Sequence, residues 1–114
     1  MDKIKTEDDE CYALVDYLER LKGQSKILLY SHIPQETFTK SWGVKMKNKR
    51  LGVRSGVPDY IIVTPQKTVW IEMKRTKGGK ISPAQKEWVG ALENAHVCCG
   101  FDEAKKIIDI SINN

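Results

Sequence analysis

Residues 56–75, GVPDYIIVTPQKTVWIEMKR, contain two short runs of strand-forming residues separated by a turn. In Asp59–Thr64 the first residue is followed by a continuous apolar run, a pattern typical of a strand buried on both faces. Pro65 falls in the predicted turn. Thr68–Arg75 alternates, which predicts a second strand with two distinct faces. One face carries Val69, Ile71 and Met73, and the other carries Trp70, Glu72 and Lys74.

Helical and strand patterns continue on both sides of this pair. Thr6–Lys22 has helical apolar spacing, and Lys26–His32 is expected to be a strand. After the pair, Ser82 is expected to cap a helix whose third position is Gln85. A short strand over His96–Phe101 and a last helix capped by Asp102 complete the chain.

The order of these elements predicts the fold class. A single domain of 1–114 is expected, α/β or α+β, with a central mixed sheet flanked by helices. Residues 35–57 lack clear periodicity and are expected to form a long basic loop, with or without a short helical turn. Long loops in compact domains are more often functional than not.

Charge is distributed unevenly along the chain. The net charge is +4, yet residues 1–20 hold seven acids against three bases. Residues 21–86 hold fourteen bases and only three acids, Glu36, Asp59 and Glu72. A surface of this sign attracts nucleic acid through counterion release, although a solvated lysine-rich face is the common alternative.

Cysteine content and the N-terminus predict the compartment. Three cysteines make a poor disulfide framework, and the adjacent pair Cys98 and Cys99 is expected to be buried in a strand. No apolar run follows the N-terminal Met-Asp-Lys-Ile-Lys, and the longest apolar stretches are too short to cross a bilayer. These features predict a cytoplasmic protein that is not secreted and contacts no membrane.

The few acids of the basic segment are placed where metal chemistry would need them. Glu72 and Lys74, two apart on a strand, project from the same face, and Asp59 begins the neighbouring strand. Two carboxylates from adjacent strands, with the Met73 carbonyl as a third oxygen, suit a hard divalent cation. Such an ion activates water and polarises a phosphoryl oxygen. Lys74 would then orient the water, stabilise developing charge or act as a base.

A plainer interpretation remains open for the same residues. Glu72 and Lys74 also fit an exposed pair on a solvated sheet face, with Asp59 as a turn residue. Against this stands the spacing of GVPD and IEMK, which are separated by an apolar strand and a turn.

At this point the chain resembles the VRR-NUC (virus-type replication-repair nuclease) domains of the PD-(D/E)xK nuclease superfamily. The resemblance rests on GVPDYIIV at 56–63, WIEMKR at 70–75, Gly78-Gly79 and SPAQ at 82–85. The first helix and HIPQE at 32–36 match more loosely. In the first helix, Cys11 stands where relatives often have Gln. In HIPQE, Gln35 replaces the usual Asn. The resemblance implies the restriction-endonuclease-like core of that superfamily.

The resemblance also implies roles for individual residues. Asp59 and Glu72 would be ligands of Mg²⁺ or Mn²⁺, Lys74 the catalytic lysine and Gln85 a supporting residue, though Gln85 also suits helix capping. A further catalytic glutamate would be Glu7, Glu10 or Glu36. His32 is expected to pack at a strand end.

The partner implied by the resemblance is DNA. Basic residues are expected to bind its phosphates without reading bases: Lys40, Lys45, Lys47, Lys49, Arg50, Arg54, Arg75, Lys77 and Lys80. Trp42 would stack on an exposed base or pack.

The implied activity is metal-dependent cleavage of branched DNA, such as four-way junctions, by a homodimer in a viral or bacterial host cell. Two alternatives remain: a nucleic-acid-binding module with a silent nuclease site, and a non-selective PD-(D/E)xK DNA nuclease.

Overall fold

The computed structural model describes residues 5–34 and 41–113. Its helices and strands follow in the order α1 (Glu7–Gly23), β1 (Leu29–His32), α2 (Trp42–Arg50), β2 (Tyr60–Val63), β3 (Thr68–Lys74), α3 (Pro83–Ala91), β4 (Ala95–Cys99) and α4 (Phe101–Ile112). The order predicted from the sequence is confirmed, with α2 as an addition. Glu36 and Lys40, both predicted to be functional, lie outside the described residues, as does Gln35.

The four strands form one mixed sheet in the order β1-β2-β3-β4. β2 pairs antiparallel with both β1 and β3, whereas β3 pairs parallel with β4. A parallel pair requires a crossover between its strands, and α3 supplies it. The predicted α/β class, with a central mixed sheet flanked by helices, is confirmed.

The core forms between the sheet and the helices α1 and α4. One of the two predicted faces of β3 lies in this core, since Val69, Ile71 and Met73 are buried. They belong to one hydrophobic cluster with Leu14 of α1 and Ile108 of α4. Each large apolar side chain buried in this way contributes roughly 1.5–3 kcal/mol. Among the described residues, no helix is long and apolar enough to span a membrane.

Three local expectations are wrong. Residues 35–57 contain the nine-residue helix α2, capped by the Ser41 hydroxyl, which accepts the Val44 N–H at 3.3 Å. All α2 residues are exposed or half-buried, so the helix leaves no apolar periodicity in the sequence. β2 is not buried on both faces, because its side chains alternate between buried and half-buried.

The third wrong expectation is the cap of the last helix. α4 begins at Phe101 with Gly100 as its N-cap, not at Asp102. Gly100 has φ 97°, and a Cβ there would lie 2.5 Å from Thr76 Cγ2. The missing side-chain cap is replaced from α1, where Glu10 accepts the Phe101 N–H at 2.7 Å. A buried contact between distant parts of the chain thus begins this helix.

The segment before β2 is held against the first turn of α3. Gly56 has φ 89°, and a Cβ there would lie 2.6 Å from the Ala84 carbonyl carbon. The backbone conformation and the close approach both require glycine. This contact sets the path of the chain into Asp59.

We expect Gly56→Ala to lower the free energy of unfolding by about 1–3 kcal/mol, because it adds both backbone strain and a clash with backbone atoms. Urea denaturation measures the change. Gly90→Ala is the matched control, since a Cβ at this α3 position meets nothing within 4 Å. The control should raise stability by about 0.5–1 kcal/mol. Equal effects of both substitutions would contradict this account of Gly56.

Candidate active site

The residues at the open end of the β2–β3 ladder bring two carboxylates together. The antiparallel register pairs Tyr60 with Ile71. Continued by one residue, it places Asp59 opposite Glu72, and residues directly opposite in a ladder project from the same face. The two side chains are also joined by a hydrogen bond that contributes to the raised pKa of Glu72.

Asp59 is fixed by the backbone of the neighbouring strand. Its Oδ2 accepts the Met73 N–H at 2.7 Å, in a place where an ordinary ladder would supply a backbone carbonyl. Pro58, just before it, is buried and restricts the backbone. The carboxylate therefore has a defined position next to β3.

The Met73 carbonyl is directed toward the same carboxylate. In a strand, the N–H and C=O of one residue point toward the same neighbouring strand, and the Met73 N–H points to Asp59. The next carbonyl points the other way, since Lys74 O accepts the Gly100 N–H at 2.8 Å. The two carboxylates therefore lie together at the end of β2, and the Met73 carbonyl faces the same strand.

Glu72 is a buried carboxylic acid with a raised pKa. It is 2% exposed. Burial, the hydrogen bond to Asp59 and the negative charge of Asp59 together raise the pKa of Glu72 to about 8. Lys74 lies 4.0 Å away and acts in the opposite direction. Desolvation and the second carboxylate outweigh this long ion pair, so Glu72 needs further positive charge to ionise near neutral pH.

The N-terminal turn of α1 adds Glu7 to the same electrostatic cluster. Burial raises the pKa of Glu7, and Asp59 raises it further, while Lys74 lowers it. Glu10, one turn later, is 6% exposed and binds the Phe101 N–H. Of the two α1 glutamates, the structure directs Glu7 toward the site and gives Glu10 a capping contact. The catalytic role of Glu7 stays a prediction.

Cys11 and Tyr60 form the contact between α1 and the start of β2. Burial raises the pKa of the Cys11 thiol, which shares a hydrogen bond with the Tyr60 hydroxyl. The Tyr60 ring also lies 5.1 Å from the His32 ring, centroid to centroid. His32 thus packs at the end of β1, the role expected for it.

Gln85 has a local partner in the structure. Its Oε1 accepts the Ser82 N–H at 2.8 Å, and its own N–H donates to the Ser82 hydroxyl at 3.2 Å. This is the predicted capping box at the start of α3. The structure accounts for Gln85 through helix capping, and its supporting role at the site stays a prediction.

The candidate ligand set fits a hard cation that keeps most of its water. Within residues 5–34 and 41–113, no group of three or more His, Cys, Asp and Glu side chains is arranged to hold a metal ion. An ion between Asp59 and Glu72 would therefore complete its shell with a carbonyl and water, as Mg²⁺ commonly does. The raised pKa of Glu72 beside Asp59 supports this fit, because a cation between the two carboxyl groups would favour the ionised form of Glu72.

A basic groove of about 700 Å³ is lined in part by Lys74, the residue that forms the long ion pair with Glu72. It runs between the start of α1 and the β3–α3 loop, and Glu7 and Lys74 lie along it. Its basic residues are Lys5, Lys74, Arg75, Lys77 and Lys80. Lys5 was missed in the sequence because it lies in the acidic N-terminal segment; its position just before the first helix cap was the available signal. Lys77 and Lys80 also line the groove, and their binding of phosphates stays a prediction.

The other predicted phosphate-binding residues that the structure describes do not line this groove. α2 and the turn after it expose Lys45, Lys47, Lys49, Arg50 and Arg54. Trp42 begins α2 and is 74% exposed, so it does not pack as a core residue.

The comparisons with known proteins agree on one family. A family model described as the VRR-NUC domain matches residues 2–104. A solved structure described as a VRR_NUC domain protein is similar with a TM-score of 0.75 and 26% sequence identity. The similarity covers 98% of this chain and 92% of that chain. No match was found among curated proteins.

Glu72 predicts a dependence of stability on pH. Its pKa of about 8 in the folded protein lies above the ordinary value of 4.5, so the folded state binds the proton more tightly. The free energy of unfolding should therefore fall as pH rises from about 4.5 to about 8. In Glu72→Gln the free energy of unfolding should fall less steeply with pH, and its slope should differ from that of the parent by up to about 1.4 kcal/mol per pH unit. Urea denaturation in EDTA measures both slopes, and identical slopes would contradict the buried acid.

A second prediction separates the two α1 glutamates. Glu10→Ala leaves the Phe101 N–H without its acceptor and should lower the free energy of unfolding by about 1–3 kcal/mol. Glu10→Gln keeps an acceptor oxygen and should lose less. Glu7→Gln should leave stability within about 0.5 kcal/mol of the parent, as expected for an exposed position. Thermal unfolding measures all three, and a larger loss for Glu7→Gln than for Glu10→Ala would reverse the assignment.

Proposed function

The chain belongs to the VRR-NUC family and is a nuclease domain; from this premise we propose that it is a metal-dependent DNA endonuclease. The proposal rests on the position of the Asp59 carboxylate. It accepts the Met73 N–H, and Asp59 lies opposite the buried Glu72 in the strand register. A pair of carboxyl groups this close is unfavourable unless a proton or a cation lies between them.

The proposed metal ligands are Asp59, Glu72 and the Met73 carbonyl. Mg²⁺ or Mn²⁺ bound there would supply a polarised phosphoryl oxygen and a bound water that ionises near neutral pH. Asp59 is held by the Met73 amide and Glu72 by the sheet, so the chain itself fixes two ligand directions. Preorganised ligands of this kind cost little rearrangement during the reaction.

Lys74 is proposed as the cation nearest to the reacting phosphate. Its Nζ lies 4.0 Å from Glu72, and its side chain is 13% exposed. An ammonium group in this partly buried position would stabilise the negative charge that develops on the phosphoryl oxygens. Glu7 is proposed to hold a water or a second ligand position beside it, since its charge interacts with both Asp59 and Lys74.

The basic groove is proposed as the path of the strand that is cut. Arg75 is held at the loop, with its Nη2 donating to Gly78 O at 3.4 Å, and Lys5, Lys77 and Lys80 are exposed along the groove. These cations contact phosphates, which position DNA without reading its sequence. We therefore propose selection by DNA structure, with branched DNA preferred.

We also propose that the chain acts as a homodimer. α2 exposes Trp42, Val44 and Met46, and Leu51 follows with 69% of its surface exposed. Exposed apolar patches of this kind mark interaction sites. A two-fold assembly would place two sites on the two strands of a branched substrate.

Activity should require the metal, Asp59 and Lys74. The substrates are a labelled four-way junction, a linear duplex and a single strand, each with Mg²⁺, Mn²⁺ or EDTA. Asp59→Asn and Lys74→Ala should reduce cutting by about 100-fold or more, and EDTA should abolish it. Asp59→Asn keeps an acceptor for the Met73 N–H, so its loss of activity would not reflect unfolding.

The outcomes separate the alternatives. Binding without cutting in either metal would indicate a module with a silent nuclease site. Equal cutting of junction and linear duplex would indicate a non-selective nuclease. Cutting that survives Asp59→Asn would remove the proposed ligand pair.

A further inference from the structure

A second cavity lies on the α3 side of the segment that leads into Asp59. Its volume is about 380 Å³, and it is lined by Arg54, Ser55, Ala84, Glu87, Trp88 and Ala91. None of these residues belongs to the carboxylate site. We propose that this cavity, the Trp88 pocket, binds one unpaired nucleobase of the DNA strand that is cut. This inference rests on the proposed function and names what that function selects.

Trp88 is the stacking surface of the pocket. Its indole Nε1–H donates to the Ser55 carbonyl at 3.1 Å, which fixes the ring relative to the segment before β2. The residue is half-buried and still lines the cavity. Aromatic rings held in this way stack on any nucleobase, because every base offers a flat face.

The other lining residues suit a base rather than a purely apolar ligand. Ala84 and Ala91 are small and leave room beside the ring. Arg54 is exposed at the pocket, where a planar guanidinium both stacks on bases and attracts phosphate. The Glu87 carboxylate can accept a hydrogen bond from a ring N–H or an exocyclic amine of a base. The volume lies within the range of about 300–1,000 Å³ found for small-molecule sites.

The pocket lies close enough to the carboxylates to share a strand with them. Ser55 and Asp59 are four residues apart, so their Cα atoms are separated by at most about 14 Å. That length equals about four nucleotide steps at a rise of about 3.4 Å. Gly56, between them, is packed on Ala84, so the pocket and the catalytic segment are mechanically connected.

Occupation of the pocket would select the substrate. A base in a regular duplex must be unstacked and unpaired before it can enter, at a cost of a few kcal/mol. A base at a branch point, flap or single-stranded arm is already free. The Trp88 pocket therefore supplies a physical reason for a preference for branched over linear DNA.

Binding without metal tests the pocket separately from cleavage. In EDTA, dye-labelled duplexes carrying a short thymidine flap, an abasic flap of the same length or no flap are titrated with the full chain, and anisotropy gives each Kd. The parent should bind the thymidine flap more tightly than the abasic flap. Trp88→Leu should reduce the ratio of the abasic-flap Kd to the thymidine-flap Kd by about tenfold, which is within the range for one stacked base.

Three variants control for other causes. Trp88→Phe should keep most of the difference, because it keeps an aromatic ring. Arg54→Lys, at an exposed position, should reduce the difference several-fold without unfolding the protein. Trp42→Leu tests the other tryptophan that could stack on a base, which is exposed and lies outside the pocket; if Trp88 holds the base, this variant should affect all three DNAs equally.

Each outcome decides the proposal. A parent that binds both flaps equally, or a Trp88→Leu variant that weakens all three DNAs alike, would overturn it. So would a base-dependent difference that disappears in Trp42→Leu and survives in Trp88→Leu. A chain that shows the Trp88-dependent difference but cuts nothing with Mg²⁺ would support the pocket and contradict only the nuclease mechanism.

Discussion

At the end of the β2–β3 ladder the Met73 amide donates to the Asp59 carboxylate, 2.7 Å away, where a backbone carbonyl would normally be its acceptor. The arrangement of the site follows from this one bond. It satisfies a backbone donor that would be costly to leave unpaired, and it holds Asp59 beside Glu72. Gly56 and Pro58 bring the chain to that point, because Gly56 packs on α3 and Pro58 restricts the backbone. Asp59, the proposed metal ligand, therefore also satisfies a backbone donor of β3.

Charge connects the site to its surroundings. Glu72 is buried with a pKa raised to about 8, so the carboxyl pair favours a state with added positive charge. Lys74 supplies only part of that charge from 4.0 Å. A divalent cation would supply the rest, and the basic groove beside it would bring a polyanionic substrate to the same place. Burial of the Glu72 carboxyl beside Asp59 is unfavourable for two negative charges, and it therefore suits a site that binds a metal ion and a phosphate.

Local patterns in the sequence predicted the centre of this arrangement but not its supports. Alternation along β3 placed Glu72 and Lys74 on one face, and proximity along the chain placed Asp59 beside them. Contacts between distant segments have no such pattern. Glu10 binds the Phe101 amide 91 residues away, and Trp88 binds the Ser55 carbonyl 33 residues away. α2 was missed because a helix with no buried face has no apolar period.

The proposed mechanism requires that Asp59 and Glu72 share one divalent cation. A crystal structure of the protein grown with Mn²⁺ and examined by anomalous scattering would locate that ion. We expect an anomalous peak at bonding distance from both carboxylates and from the Met73 carbonyl, and we expect the peak to disappear in Asp59→Asn. An anomalous peak elsewhere, or a protonated carboxyl pair with no ion between Asp59 and Glu72 at saturating Mn²⁺, would contradict it.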